Sequence, residues 1–284
     1  MYESDLAQLL DLAVVEDLGG GDLTSKAVVP KSLRVKGHYV AKAPGTIAGI
    51  GVLEPVFRRF GRGVKLQGLA RDGARVKAGR RLAAIEGPAR TVLAGERLSL
   101  NLLCHLSGVA TLTASFVERT TGTRARIFDT RKTTPGMRML EKYAVHCGGG
   151  ANHRIGLFDA VLIKDNHLAM VGSSPAEAVR RAKATTHQPV EVEVTDLGGL
   201  EEAVSAGADI VMLDNFTPAR ARRAVTLARK LARKRGRAVE VEISGGINLK
   251  TVRKFAIGNP DRISVGALTH SAPALDISLQ LEKA

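Results

Sequence analysis

The chain has 284 residues, 44% of them apolar and 25% charged, which is length for about two domains and too much apolar content for a disordered chain. Lys and Arg number 42 against 28 Asp and Glu, a formal charge of +14 that points to a polyanionic partner, either nucleic acid or a small anionic ligand. No run of about 18 apolar residues is evident, and Glu3 and Asp5 precede any base, so neither a membrane-spanning helix nor a secretory signal is expected.

Glu3–Asp17 reads as an amphipathic helix. The glycine turn Asp17–Thr24 follows it with no strand in front, which makes it weak as a phosphate loop. Residues 33–94 are rich in Gly, Val and charge, with turn signals at Pro44–Gly45, Asp72–Gly73 and Gly87–Pro88. They predict a mixed β region with a helix around Val52–Phe60. Ala94–Leu106 reads as helical, and a domain boundary is expected just after it. Cys104 and Cys147 are too few for a disulfide framework or a zinc site and read as reduced thiols of a cytoplasmic protein.

From about residue 124 short apolar strands alternate with helices. The predicted strands are Arg124–Phe128, Asp159–Lys164, Val190–Val194, Asp209–Leu213, Val239–Ile243 and Arg262–Val265. The helices are Met137–Val145, Ala176–Ala184, Leu200–Ala206, Pro218–Lys234 and Lys250–Ala256, with Ser174 and Thr217 as caps before Pro175 and Pro218. This alternation implies parallel strands joined by crossover helices, in a small or incomplete α/β barrel or a doubly wound sheet. Two strands favour the barrel. In Val190–Val194 and Val239–Ile243 apolar residues alternate with Glu191, Glu193, Glu240 and Glu242. A doubly wound sheet covers both faces with helices, whereas a barrel has an interior that accepts polar groups, so the valines are placed outward and the glutamates inward. The stretch Ala219–Ala238 holds nine bases and no acid, and without it the chain has 33 bases against 28 acids. It reads as one solvated basic helix face. With only 4% aromatic residues and no recognition motif, nucleic-acid binding is the weaker reading of the charge.

The strand ends carry the chemistry. Thr130, Arg131 and Lys132 follow the first strand, Lys164 ends the second, Glu193 lies near the end of the third, and Asp214 follows the fourth. Ser244, Gly245 and Gly246 follow the fifth strand, and Val265, Gly266 and Ala267 close the sixth. Barrel enzymes build their sites on that rim. Arg131, Lys132, Arg154 and Lys164, with His153, make a cationic wall suited to carboxylates or phosphates. The glycine segments 244–246 and 265–267 suit a phosphate, and Glu193 and Asp214 suit ribose hydroxyls, a divalent metal or a cationic transition state.

At these residues the chain resembles the quinolinate phosphoribosyltransferase family. The resemblance runs from Glu16–Ser25 through Glu96–Asn101 and the ungapped stretch 129–167, then through Glu193, Asp214–Asn215, Ser244–Ile247 and Ile263–Ser271. It implies an α/β fold of type II phosphoribosyltransferase kind: an N-terminal α/β sandwich over residues 1–107, rejoined by a tail at 268–284, and an incomplete six- or seven-stranded α/β barrel over 108–267. It implies phosphoribosyl transfer from phosphoribosyl pyrophosphate to quinolinate with decarboxylation, in a homodimer, or in some members a hexamer, with shared active sites. Arg97 matches the residue that reaches in from the neighbouring subunit. Arg131, His153, Arg154 and Lys164 match the residues on the two quinolinate carboxylates. Thr130 is a further substrate-binding position, Lys132 falls near phosphoribosyl pyrophosphate, Glu193 and Asp214 face its ribose, and 244–246 and 265–267 hold phosphate. Lys132, Glu193 and Asp214 are the expected catalytic residues. Mg²⁺ is the implied cofactor, held mainly by the substrate pyrophosphate near Glu193 and Asp214. The rival readings are a related phosphoribosyltransferase for nicotinate or another aromatic acid, a Schiff-base lyase using Lys164, and a nucleic-acid-binding protein using the basic helix.

Overall fold

Short apolar runs separated by capped helices force the second half of the chain into parallel βα units, and the computed structural model, which describes residues 3–284, shows six of them. In chain order the strands are Arg126–Phe128, Val161–Ile163, Val190–Val194, Ile210–Asp214, Glu240–Ser244 and Arg262–Ser264. They form one all-parallel sheet in the order first, sixth, fifth, fourth, third, second. The first and second strands are not paired, so the barrel is incomplete and its seam lies between them; Ala151 makes a single parallel bridge to Phe128 at the seam. The doubly wound alternative is thereby excluded in favour of the barrel. Val190–Val194 is found as predicted, and the other five strands shift by one or two residues at their ends.

Ser174 Oγ accepts from Glu177 N–H at 3.2 Å ahead of the helix Pro175–Thr185, and Thr217 Oγ1 accepts from Arg220 N–H at 3.4 Å ahead of Pro218–Lys234, as the Ser-Pro and Thr-Pro pairs require. The basic helix buries Ala221, Ala224, Val225, Ala228 and Ala232. Small side chains let it pack closely on the sheet, and Val225 contributes roughly 1.5 kcal/mol of burial. Its cations lie outside that stripe: Arg220 stacks over Phe216 at 4.6 Å, and Arg229 donates to Asn259 O at 2.6 Å. A helix that the sequence reading did not include, Asp165–Val171, follows the second strand. It has no buried residue, hence no apolar stripe to announce it.

The chain divides into two compact units: residues up to 114, 133–149 and 268–284 in the first, and 115–132 and 150–267 in the second. The first unit contains a four-stranded antiparallel sheet ordered Ile277–Lys283, Arg34–Ala41, Arg81–Pro88, Lys65–Gly68. The C-terminal strand pairs with the N-terminal one from Val35 opposite Lys283 to Ala41 opposite Ile277. The core under this sheet includes Tyr39, Phe57, Leu82, Val92, Leu103 and Ile277, and the buried Tyr39 hydroxyl satisfies itself on Ser99 Oγ at 2.7 Å.

The helix expected over Ala94–Leu106 instead runs unbroken from Ala89 to Thr120, through the expected boundary after Leu106. No Pro interrupts it, and Gly95 and Gly108 sit where a side chain would strike Phe57 and the Pro273 backbone. By length and composition this helix could cross a membrane, contrary to the expectation that none could. Yet 61% of its most apolar stretch is buried within the protein, as befits a core helix. Cys104 and Cys147 are free and half-buried, and burial pushes both thiols up.

Candidate active site

Strand register assigns the barrel interior. Glu193 pairs with Met212, Met212 with Glu242, Glu242 with Arg262, and Arg262 with Arg126, so these side chains share one face of the sheet. Glu191, Glu193 and Glu242 are buried there, as the alternating pattern predicts. Glu240 departs from it. It stands at the N-terminal end of its strand, half exposed, and closes an ion pair with Arg262. Arg262 and Arg126 lie over the Phe128 ring at 4.9 and 5.1 Å.

At the opposite, C-terminal ends the predicted residues follow one another around the rim in sheet order: 130–132, 265–267, 244–246, Asp214, Glu193 and Lys164. Several contacts join them. Lys164 Nζ is 3.8 Å from Glu193 Oε2, with the lysine side chain 48% exposed. Asp214 pairs in register with Ser244, and Asn215 N–H donates to Ser244 O at 3.1 Å. Val265 N–H donates to Phe128 O at 2.9 Å, which ties the 265–267 segment to the strand that delivers Arg131. Burial, and then the charge of Asp214, raise the Glu193 carboxyl above its ordinary range; Lys164 offsets part of this. Lys164 is solvated and ion-paired rather than enclosed in an apolar pocket, which does not suit a Schiff-base nucleophile.

The cationic wall has a geometry of its own. Arg154 is half-buried, and burial together with the charge of Arg131 lowers its guanidinium below the ordinary value. One Nη1–H of Arg154 reaches Ala160 O at 3.1 Å. The Nε atoms of Arg131 and Arg154 are both buried without a hydrogen-bond partner among the described residues. Two like charges held together with unused donors are matched by a planar anion. The supporting loop is shaped by Asp159, whose carboxylate accepts from Ile155 and Gly156 N–H at 2.7 and 2.9 Å. Thr130 Oγ1 accepts from Lys132 N–H at 3.0 Å and turns the chain after Arg131, leaving Lys132 exposed.

His153 belongs to the same loop but is buried, with both ring nitrogens directed at protein atoms. Nδ1 accepts from Arg154 N–H at 2.8 Å, and Nε2 lies 3.2 Å from Glu191 and 3.4 Å from Glu242. Gly245 lies at φ 91°, and a side chain there would come within 2.2 Å of Asn215 Oδ1. Only glycine permits that approach, which locks the fourth and fifth strand ends together. Gly246, at φ 62°, has open space at its Cα and leaves its backbone accessible. Arg97 lies on the long helix of the first unit, exposed, and is not part of the barrel rim.

Residues 109–280 match the family model for the quinolinate phosphoribosyl transferase C-terminal domain, and residues 22–107 match that for the N-terminal domain. The chain belongs to the quinolinate phosphoribosyltransferase family. This member of the quinolinate phosphoribosyltransferases is 43% identical over 275 residues to the nicotinate-nucleotide pyrophosphorylase (carboxylating) of Mycobacterium leprae, an alignment covering 95% of this chain and 94% of that protein. Its fold matches the solved nicotinate-nucleotide pyrophosphorylase of Francisella tularensis with a TM-score of 0.91 at 37% identity, over 99% of this chain and 98% of that one. It matches NadC of Streptococcus pyogenes equally, at 0.91 and 40% identity, over 100% and 99%.

Three buried groups escaped the sequence-based choice of site residues. Glu191, Glu242 and Ser264 surround His153, with Ser264 Oγ donating to Glu242 Oε1 at 2.5 Å. The alternation of strand residues marked Glu191 and Glu242 as inward, but nothing in sequence spacing brings a loop histidine 38 residues before Glu191 down onto them.

Proposed function

We propose that this chain transfers the phosphoribosyl group of phosphoribosyl pyrophosphate to the ring nitrogen of quinolinate, with loss of carbon dioxide, giving nicotinate mononucleotide and pyrophosphate. The observation that carries this reading is the pair Arg131 and Arg154, half-buried, mutually repelling and with unused Nε donors, beside a barrel rim that also carries Lys164, Glu193, Asp214 and the glycine segments 244–246 and 265–267. Two guanidinium groups and the Lys164 ammonium exceed what a single carboxylate needs and match the adjacent carboxylates of quinolinate. The family's names for its relatives agree with this substrate.

The chemistry follows from the positions. Breaking the bond from ribose C1 to pyrophosphate sends its electron pair to the leaving oxygen and leaves cationic character at C1. Glu193 and Asp214 lie on the ribose side of the rim and stabilise that charge. The ring nitrogen then donates its lone pair to C1. The pyridinium so formed accepts the electrons released when the C2–carboxylate bond breaks, and C2 takes a proton from water as carbon dioxide departs. The glycine segments 244–246 and 265–267 supply backbone to the 5′-phosphate, and Lys132 meets the pyrophosphate. The hard carboxylate oxygens of Glu193 and Asp214, whose mutual repulsion raises Glu193, suit Mg²⁺ carried on the pyrophosphate; when bound, the ion takes up charge on the leaving group.

A homodimer fits the exposed apolar side chains. Leu157, Phe158, Met170 and Val171 are 61–88% exposed in the barrel unit, and Leu12, Val15, Leu23 and Val28 are 71–80% exposed in the first unit. Exposed apolar side chains in both units suit burial against a second copy, and the exposed Arg97 then reaches a partner's site. Unbridged, half-buried thiols suit the cytoplasm. The decisive assay follows carbon dioxide and mononucleotide formation from quinolinate, phosphoribosyl pyrophosphate and Mg²⁺. Equal or better turnover of nicotinate would overturn the substrate assignment.

A further inference from the structure

Inside the barrel, the cluster around His153 has no part in the reaction as derived above. His153 Nε2 faces Glu191 Oε2 and Glu242 Oε1, and Ser264 Oγ donates to the same Glu242 oxygen. On the opposite edge of the ring the backbone N–H of Arg154 donates to Nδ1, while the N–H of His153 donates to the buried Asp129 carboxylate at 2.8 Å. A nitrogen that accepts a hydrogen bond carries no proton. The ring proton therefore sits on Nε2 and points at the two carboxylates.

The same bond decides against a metal ion. The ligand atoms of His153, Glu191 and Glu242 lie within 4.8 Å of one another, a spacing open to a cation. A neutral imidazole binding metal through Nε2 must carry its proton on Nδ1, where it would collide with the Arg154 N–H. Charge is instead balanced by protonation. Glu191 Oε1 and Glu242 Oε2 are buried without hydrogen-bond partners among the described residues, and two such carboxylates side by side cannot both stay ionised at low cost. The facing charges are Arg262 from the sixth strand with its partner Glu240 from the fifth, Arg126 from the first, and Asp129 and Arg154 flanking His153. The second and fourth strands present only Leu162, Ile210 and Met212 to the pair in register.

We propose that Glu191 and Glu242, linked to Ser264, are positioning residues. They share one proton, fix His153 as the Nε2–H tautomer, and through Nδ1 hold the Arg154 backbone so that its guanidinium stays aimed at the substrate carboxylates. The identity of that substrate rests on the function proposed above; the state of the cluster does not.

The first test is a long-range ¹⁵N–¹H correlation spectrum of the ligand-free full-length protein with labelled histidine, from about pH 6 to about pH 8.5, with His153→Asn to assign the signal among the 7 histidines. An unprotonated Nδ1 with a protonated Nε2 across that range supports the proposal. A doubly protonated ring or the Nδ1–H tautomer near pH 8 overturns it. The second test is kinetic. Glu191→Gln and Glu242→Gln keep an acceptor and lose the charge, and each is expected to raise KM for quinolinate about tenfold while kcat changes less than about threefold. KM values within about twofold of the parent in both variants overturn the positioning role. Should quinolinate prove not to be a substrate of the parent protein, the proposed function falls while the tautomer measurement still judges the cluster.

Discussion

Replacing Glu191 by Gln should make the protein more stable at neutral and alkaline pH, and much less so in acid. The Glu191 side chain is almost fully buried, and burial together with the charge of Glu242 raises its carboxyl from 4.5 to about 7. An unfolded chain releases this proton near 4.5, whereas the folded chain keeps it to about 7. The folded state thus binds more protons in that window, and its stability falls as pH rises through it. At 1.36 kcal/mol per pH unit the full effect is on the order of 3 kcal/mol at about pH 8.5. Glutamine has nearly the same shape, still presents an oxygen to His153 Nε2 and carries no charge at any pH. Glu191→Gln is therefore expected to gain up to about 3 kcal/mol at pH 8.5, roughly 6 °C in Tm, and less than about 1 kcal/mol at pH 5. Urea unfolding of both proteins at the two pH values measures the difference. A gain that is equal at both pH values, or a loss confined to the alkaline one, would refute the electrostatic account of the cluster. The variant's weakened quinolinate binding is then the functional counterpart of a stability that the native carboxylate forgoes.

Arg131→Ala should weaken quinolinate binding by about 100-fold, the worth of a charged hydrogen-bond pair, with the unfolding transition unmoved; titration calorimetry showing unchanged affinity would remove Arg131 from the site. Gly245→Ala forces a side chain against Asn215 at φ 91°, so a loss of about 1–3 kcal/mol and a raised KM for phosphoribosyl pyrophosphate are expected, checked by denaturation and initial rates. Phe158→Asp places a charge on an exposed apolar position of the barrel unit and should shift sedimentation from dimer to monomer; an unchanged profile would move the interface elsewhere. Mixing Arg97→Ala with Arg131→Ala should restore about a quarter of parental activity, because half of randomly exchanged dimers would hold one intact shared site. No recovery after demonstrated subunit exchange would refute sharing.

The barrel was legible in the sequence because its signals are local. Alternating Val and Glu in 190–194 and 239–243 mark an interior that accepts charge, and Ser174-Pro175 and Thr217-Pro218 mark helix starts that the structure caps as expected. Rim residues could be read off as whatever follows each strand, which recovered 130–132, Lys164, Glu193, Asp214, 244–246 and 265–267. Features that depend on tertiary contact were not legible. The helix Asp165–Val171 buries nothing, so no periodicity reveals it. The long helix passes through residues 107–120 because the fold accommodates its glycines, not because the sequence marks an end at Leu106. Glu240 shares the inward face of Glu191 in register but opens its strand, half exposed and ion-paired with Arg262, so alternation shows its face and not its exposure. The burial of His153, with Nδ1 accepting from Arg154 N–H and Nε2 facing Glu191 and Glu242, was likewise not legible, because it depends on a loop folding down onto two strands.

The open seam between the first and second strands has a mechanical consequence. The chain leaves the barrel unit after Lys132, runs through 133–149 as part of the first unit, and returns at Gly150. Arg131 thus stands just before the point of departure and Arg154 just after the point of return, so the two guanidinium groups are covalently strung on either side of an excursion into the other half of the molecule. Cutting that excursion, or expressing the barrel as a separate fragment, would leave both arginines on loose ends, so the pairing of the two guanidinium groups is a property of the intact chain.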